Sequence, residues 1–248
     1  MAGHSKWKQI KHKKALTDSK RAAAWTKIIR EITVAAKAGG GDPTGNPRLR
    51  LAMDNARAAN MPNDNIDRAI KKGTGELEGV SYEEITYEAY GPAGVALIIE
   101  SLTDNGNRTV ADIRRWLSRN GGNLGTTGSV AWMFDRRGRI TIDAERFGEE
   151  AVMEAALEAG ALDVESGDGA HTVLTEVADF TAVQDALREK GIEWEDAELA
   201  MIPKTSVKVE GADAEKLLKL VDLLEELDDV QNVYSNADVD EDSLASVA

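Results

Sequence analysis

The apolar residues of this chain change their spacing once, near Gly73, and the change divides the chain into two kinds of structure. Before Gly73 they recur at helical intervals. Trp25, Ile28, Ile29, Ile32 and Ala36 fall on one side of a helix predicted over residues 17–37, and Gly39, Gly40 and Gly41 stop it. Asn46 and Pro47 open a second helix, with Asn as N-cap and Pro in the first turn; Leu49, Ala52, Met53 and Ala56 make its apolar stripe. A third follows Pro62, carries Ile66, Ala69 and Ile70, and ends at Gly73. These small-residue-rich helices suit a modest bundle. Residues 73–80 read as a linker.

Beyond the linker, strands and helices alternate. A β-rich run at 95–102, a helix at 107–120 with Val110, Ile113 and Leu117 inward, and a strand at 129–134 make one β-α-β unit. The same pattern resumes at 206–210, 213–227 and 230–234. Between them lies a complete βαββαβ series: 139–143, 149–159, 163–166, 171–176, 180–190 and 195–202. The expected fold class is α+β: an N-terminal helical bundle (1–78) plus two ferredoxin-like βαββαβ modules, one (138–203) inserted in the other (79–137 plus 204–240). From Asp238 onward the tail is acidic and expected to fray.

Charge is divided along the same line. Residues 1–72 hold 16 Lys/Arg against 6 Asp/Glu, and the remainder holds 14 against 38, so a head of +10 is carried on a body of −24. Such asymmetry points to a nucleic-acid or membrane partner. Salt screens over about 8 Å at physiological strength, so a distant acidic body need not cancel the head locally. The most apolar run, residues 95–102, is far too short to span a bilayer, and no membrane contact is expected. Met1 to Lys6 runs into basic residues without an apolar stretch, unlike a secretory signal. There is no cysteine, which excludes disulfides, thiolate metal sites and cysteine nucleophiles and fits a cytoplasmic home.

Two basic clusters are candidates for phosphate contact. Lys6, Lys8, Lys11, Lys13, Lys14, Lys20 and Arg21 place seven cations in sixteen residues, opposed only by Asp18, with His4, Trp7 and His12 interleaved. Cations at that density release counterions on meeting a phosphate backbone. Trp7 either stacks on a base or anchors the segment to the bundle. The second cluster is Arg108, Arg114, Arg115, Arg119, Arg136, Arg137 and Arg139; Arg108, Arg115 and Arg119 fall near one helical face. These arginines either clamp phosphates or pair with the acidic body. Residues 103–109 (Thr-Asp-Asn-Gly-Asn-Arg-Thr) sit at a strand-to-helix junction, where they cap the helix or present its N-terminus to a phosphate.

Enzymatic signals are weak. The glycine-rich stretches 39–45 and 121–128 lack the Gly-Lys-Ser/Thr of a P-loop, and the second reads as a contact loop or a hairpin-like connection. His4, His12 and His171 are the only histidines. No catalytic residue, cofactor or metal site is expected. Glu225, Glu226, Asp228 and Asp229 read mostly as a solvated helix face, or else as an acidic pocket for cations or a basic partner protein.

The wording of several blocks resembles the YebC/PmpR family: Ala2-Gly3-His4-Ser5-Lys6-Trp7 with Ile10-Lys11-His12-Lys13, Gly40-Gly41-Asp42-Pro43, Asn60-Met61-Pro62, residues 87–94 (Tyr-Glu-Ala-Tyr-Gly-Pro-Ala-Gly), Thr103-Asp104-Asn105 with Asn107-Arg108-Thr109, and Gly121-Gly122-Asn123-Leu124-Gly125 leading to Gly128-Ser129-Val130. The resemblance implies a small helical domain and two α/β domains in a cytoplasmic, DNA-binding probable transcriptional regulator. It also implies kinship with mitochondrial translational activators and with bacterial proteins linked to the ribosome and to stalling at proline-rich stretches. Trp25 stands where the family pattern has Phe. The family transfers no catalytic residue.

The lead expectation is therefore a non-enzymatic DNA-binding transcriptional regulator. The alternative is a ribosome-associated translation factor whose basic head reaches rRNA, which is recognised by shape and backbone. A metal-dependent nuclease is a third reading, and no turnover of nucleic acid is expected. Head-to-body docking between copies also fits the charge division; the oligomeric state expected is monomer or weak dimer.

Overall fold

In a computed structural model the backbone is described for residues 18–167 and 169–239, and side chains from Ala22 onward. Among the described residues the protein is a mixed α/β structure of seven α-helices and antiparallel four-stranded sheets. Three helices open the chain: α1 (Asp18–Gly39), α2 (Pro47–Ala58) and α3 (Asn63–Thr74). Their apolar stripes meet in one core of Ile32, Ala35, Ala36, Leu49, Ala52, Ala56, Met61, Ile66 and Ala69. Asn46 caps α2 through its side-chain oxygen, which accepts from Leu49 N–H at 3.1 Å. Its amide nitrogen donates back to Ala35 and Gly40 carbonyls, so one buried residue both starts α2 and closes the end of α1. Trp25 packs against this core, and its indole N–H donates to the Ala59 carbonyl at 3.0 Å, a bond that a Phe lacks. Where α3 crosses α1, Gly73 leaves no room for a side chain: a Cβ there would lie 2.7 Å from Ala36 Cβ and collide with the Thr33 carbonyl.

Next come β1 (Glu83–Tyr90), β2 (Ala96–Thr103), α4 (Gly106–Arg119) and the two-residue β3 (Asn123–Leu124). After the segment 134–204 the chain returns as β8 (Val207–Val209), α7 (Gly211–Glu225), β9 (Val230–Ser235) and β10 (Ala237–Val239). The sheet order is β3-β1-β2-β9, all antiparallel, and α4 and α7 cover one face through Ile113, Leu117, Leu217, Leu220 and Leu224 against Ala89, Leu97 and Ile99. The outer module thus differs from the expected βαββαβ order. Strand β1 enters the sheet, β8 leaves it to pair in parallel with β10, and residues 129–133 form a loop and a short 3₁₀ turn instead of a strand. Asp238 and Val239, expected in a frayed tail, are held in that β8–β10 pair.

The intervening segment runs β4 (Phe134–Asp143), α5 (Glu149–Glu158), β5 (Asp163–Gly167), β6 (Ala170–Thr175), α6 (Phe180–Glu189) and β7 (Asp196–Pro203), in the sheet order β5-β6-β4-β7 with every neighbour antiparallel. Among the described residues, those of 134–204 form one compact unit and the remainder another. Gly138 of β4 lies opposite Thr175, and a Cβ on it would collide with the Thr175 hydroxyl and the Phe180 ring, both buried. Gly138→Ala is expected to cost about 1–3 kcal/mol by overpacking. The check is urea unfolding of the full chain followed separately by tryptophan fluorescence and by far-ultraviolet dichroism. An unchanged midpoint would show that β4 shifts freely.

Candidate nucleic-acid interface

Lys6, Trp7, Lys8, Lys11, His12, Lys13 and Lys14 lie outside the described residues, as do the side chains of Lys20 and Arg21, whose backbone belongs to the first turn of α1. The remaining candidates, Arg108, Arg115 and Arg119, all stand on α4, and the structure divides them.

Arg108 is built into the protein. Its guanidinium donates to both oxygens of Asp229 (2.8 and 3.0 Å) and to Asp104 (2.7 Å). Arg30 of α1 reaches the same Asp229 at 2.7 Å and also donates to the Asp228 and Leu102 carbonyls. The Thr109 hydroxyl lies 2.7 Å from the other Asp229 oxygen, and Tyr82 lies beneath the Arg30 guanidinium. Asp229 is therefore a buried hub that fastens α1, α4 and the turn after α7 together. Burial opposes its charge, and the bonds from Arg108, Thr109 and Arg30 more than offset this, holding its carboxyl below the usual carboxylate range. Asp229 holds Arg108, with help from Asp104, above the ordinary arginine value. The solvated-face reading of residues 225–229 is thus corrected at Asp229, and the cations of the acidic cluster come from this chain. Lys27 adds to them by donating to the Glu225 carbonyl at the C-terminal end of α7, where the helix dipole favours a cation. The junction 103–109 performs the capping role: Asn105 accepts from Arg108 N–H at 3.1 Å, and Thr103 accepts from Asn105 N–H at 2.9 Å.

Arg115 and Arg119 are different. Both are exposed, as is Arg114, and among the described residues no carboxylate pairs with any of the three. Trp116 is half-buried against the core, and the guanidinium carbons of Arg115 and Arg119 lie 5.0 and 5.9 Å from its ring centroid. The ring holds the two cations in place without neutralising them. A second unpaired basic face, overlooked in the sequence, is Arg68, Lys71 and Lys72 of α3, exposed and likewise without a described carboxylate partner. Its 0, 3, 4 spacing was the available signal. Most other arginines are paired: Arg48 with Glu31 and Glu84, Arg137 with Glu176, Arg139 with Glu198, and Arg146 with Glu193.

The loop after β3 is organised by a buried carboxylate. Glu88 of β1 accepts from the N–H groups of Gly128 (2.6 Å), Val130 (2.7 Å) and Ala131 (2.8 Å). Burial raises its pKa, but the amide bonds prevail and hold it below the ordinary glutamate value. Trp132 follows this loop with 66% of its surface exposed. Among the described residues no helix is long and apolar enough to cross a membrane, and no cluster of three His, Asp or Glu is placed to hold a metal ion.

Comparison with known proteins places these features in a family. Residues 5–76 match the TACO1/YebC N-terminal domain, and residues 82–237 match the TACO1/YebC second and third domain. A protein of Chlorobium luteolum is 57% identical over 248 residues, covering 100% of this chain and 99% of its own. One of Gemmatimonas aurantiaca is 60% identical over 245 residues, covering 99% of each. Both bear the name probable transcriptional regulatory protein. The crystal structure of a conserved hypothetical protein from Aquifex aeolicus superposes with a TM-score of 0.88 at 45% identity, covering 95% of this chain and 98% of that one. With both family models matched in sequence order and relatives aligned end to end, this chain belongs to the TACO1/YebC family.

Proposed function

We propose that the protein is a non-enzymatic, cytoplasmic regulator of gene expression that binds DNA through phosphate contacts. The observation carrying this reading is the set of unpaired cations on α3 and α4 in a chain where acids outnumber bases 44 to 30. With carboxylates in excess, cations left unpaired on two helices are available to an external polyanion. The basic segment 6–21 adds seven more positive charges. The name that the relatives bear, probable transcriptional regulatory protein, supports a role in regulating gene expression. Binding would be mainly to the backbone. A recognition helix reads bases with its N-terminal residues, and at that end of α4 Arg108 is already engaged by Asp229. Three domains divide the work in this reading: 1–78 and the α4 face of 79–137 plus 204–240 bind, while 138–203 is an acidic appendage.

Replacing Arg115 and Arg119 together by Ala is expected to weaken DNA binding several-fold and to reduce the slope of log K against log salt by up to ~0.9 for each phosphate no longer neutralised. Exposed changes of this kind leave stability within about 0.5 kcal/mol. Cross-linking in cells with parallel recovery of DNA and RNA tests the assignment itself. Discrete promoter sites support it; enrichment of one rRNA locus instead moves the protein to the ribosome.

A further inference from the structure

We infer that the acidic unit 134–204 carries a docking surface for the basic N-terminal segment of a second copy of this chain. The unit holds 18 Asp/Glu against 7 Lys/Arg, a net of −11 in 71 residues. Charge alone would be a solvated surface, but at one end it is combined with apolar side chains. Leu157, Leu162 and Val177 are 47%, 51% and 42% exposed. Leu157 stands in the last turn of α5, and Leu162 and Val177 lie in or beside the two adjacent turns that follow α5 and β6. The first links α5 to β5, with Gly160 N–H bonded to Leu157 O and Leu162 N–H bonded to Leu174 O of β6. The second links β6 to α6, and a Cβ on Gly160 would lie 4.0 Å from Asp179 Cγ in it.

The rim of this patch is Asp163, Glu165 and Asp179, none of which has a cation partner among the described residues. Strand β5 is also an edge: among the described residues it pairs with β6 alone, so its other side has no strand beside it. Carboxylates along an edge repel a second copy of the same edge and admit a basic segment. Residues 6–21 match this surface in both respects, with seven cations against one acid and with Trp7, Ile10 and Leu16 as apolar side chains. Such an association joins different patches on the two copies, so it is head-to-body and salt-sensitive. The same cations serve the phosphate binding proposed above, and DNA and the second copy therefore compete for the head.

Sedimentation velocity of the full chain at low and high salt tests this. The protein is expected to associate at low salt as concentration rises, and to dissociate at high salt or when a short DNA duplex is added. Leu157→Asp with Leu162→Asp is expected to weaken association at least ~tenfold while leaving dichroism unchanged, and duplex affinity unchanged at dilutions where the protein is monomeric. Replacing Lys8, Lys11, Lys13 and Lys14 by Ala is expected to abolish it. A protein monomeric at every concentration at low salt overturns the inference, as does association that ignores the Leu157/Leu162 variant or persists with the head occupied by duplex. A duplex that fails to bind overturns the DNA assignment, while the salt and leucine responses still decide the docking.

Discussion

Asp229→Ala is expected to remove about 3–5 kcal/mol from the stability of the unit that contains α1, α4 and α7. The magnitude follows from what the substitution leaves behind. Arg30, with only 12% of its side chain exposed, would keep its charge without a counter-ion, and the Thr109 hydroxyl would be left without its acceptor. Breaking a buried pair from one side costs far more than the pair contributes net. Urea unfolding of the full chain measures it; a decrease below about 1 kcal/mol would mean that solvent already reaches the hub. Acidification offers an independent check with a definite sign. Because the Asp229 carboxyl is held below its ordinary value in the folded state, the unfolded chain binds more protons at low pH. The contribution is therefore complete above the unfolded carboxyl value near pH ~3.9 and is lost as pH falls through the lower folded value. Asp229→Asn should flatten the acid limb of the stability curve, and a limb identical to that of the parent would show that the hub does not titrate there. Glu88, shifted in the same direction by the amides of the 128–131 loop, contributes to the same limb.

Removing the charges of Lys8, Lys11, Lys13 and Lys14 should produce the largest change in affinity. If each neutralises one duplex phosphate and releases ~0.9 counterion, four together correspond to roughly 10³ in binding at ~0.15 M salt, with a salt slope shallower by about 3.6. The unfolding midpoint is expected to stay where it was. A titration of fluorescent duplex at several salt concentrations reads both quantities. Affinity and slope that both survive would assign binding to the α3 and α4 faces, and the double Arg115/Arg119 variant would then carry the α4 share of the effect.

Most of the local structure was legible because local signals agreed with tertiary demand. Asn46-Pro47 started α2 where a cap and a fixed φ require it, and the series from β4 to β7 followed from period and turn residues. The failures share one cause. Residues 129–134, Ser-Val-Ala-Trp-Met-Phe, have strand-forming composition, yet the N–H groups of Val130 and Ala131 are taken by Glu88, some forty residues earlier, and cannot enter a ladder. The same carboxylate disguised β1, whose glutamates depress strand propensity while Glu88 is in fact buried with its charge satisfied. At the candidate interface, helical spacing correctly grouped Arg108, Arg115 and Arg119 on α4. It could not reveal that Arg108 is engaged by a carboxylate 121 residues away, whereas Arg115 and Arg119 remain available. Spacing reports which face a residue is on; partner identity is a long-range property.

The strand order β3-β1-β2-β9 has a consequence for how this protein is made. Strand β2 needs β9 beside it, and the apolar side of α4 needs α7, yet both arrive only after residues 134–204 have been synthesised. A nascent chain therefore presents Leu97, Ile99, Ile113 and Leu117 without their cover while the 134–204 unit, whose strands are all local to it, completes itself. Elements translated after that unit, α7 and β9, are the ones that seal the first sheet. Truncations that remove α7 and β9 should thus expose aggregation-prone surface in a part of the molecule far upstream of the cut.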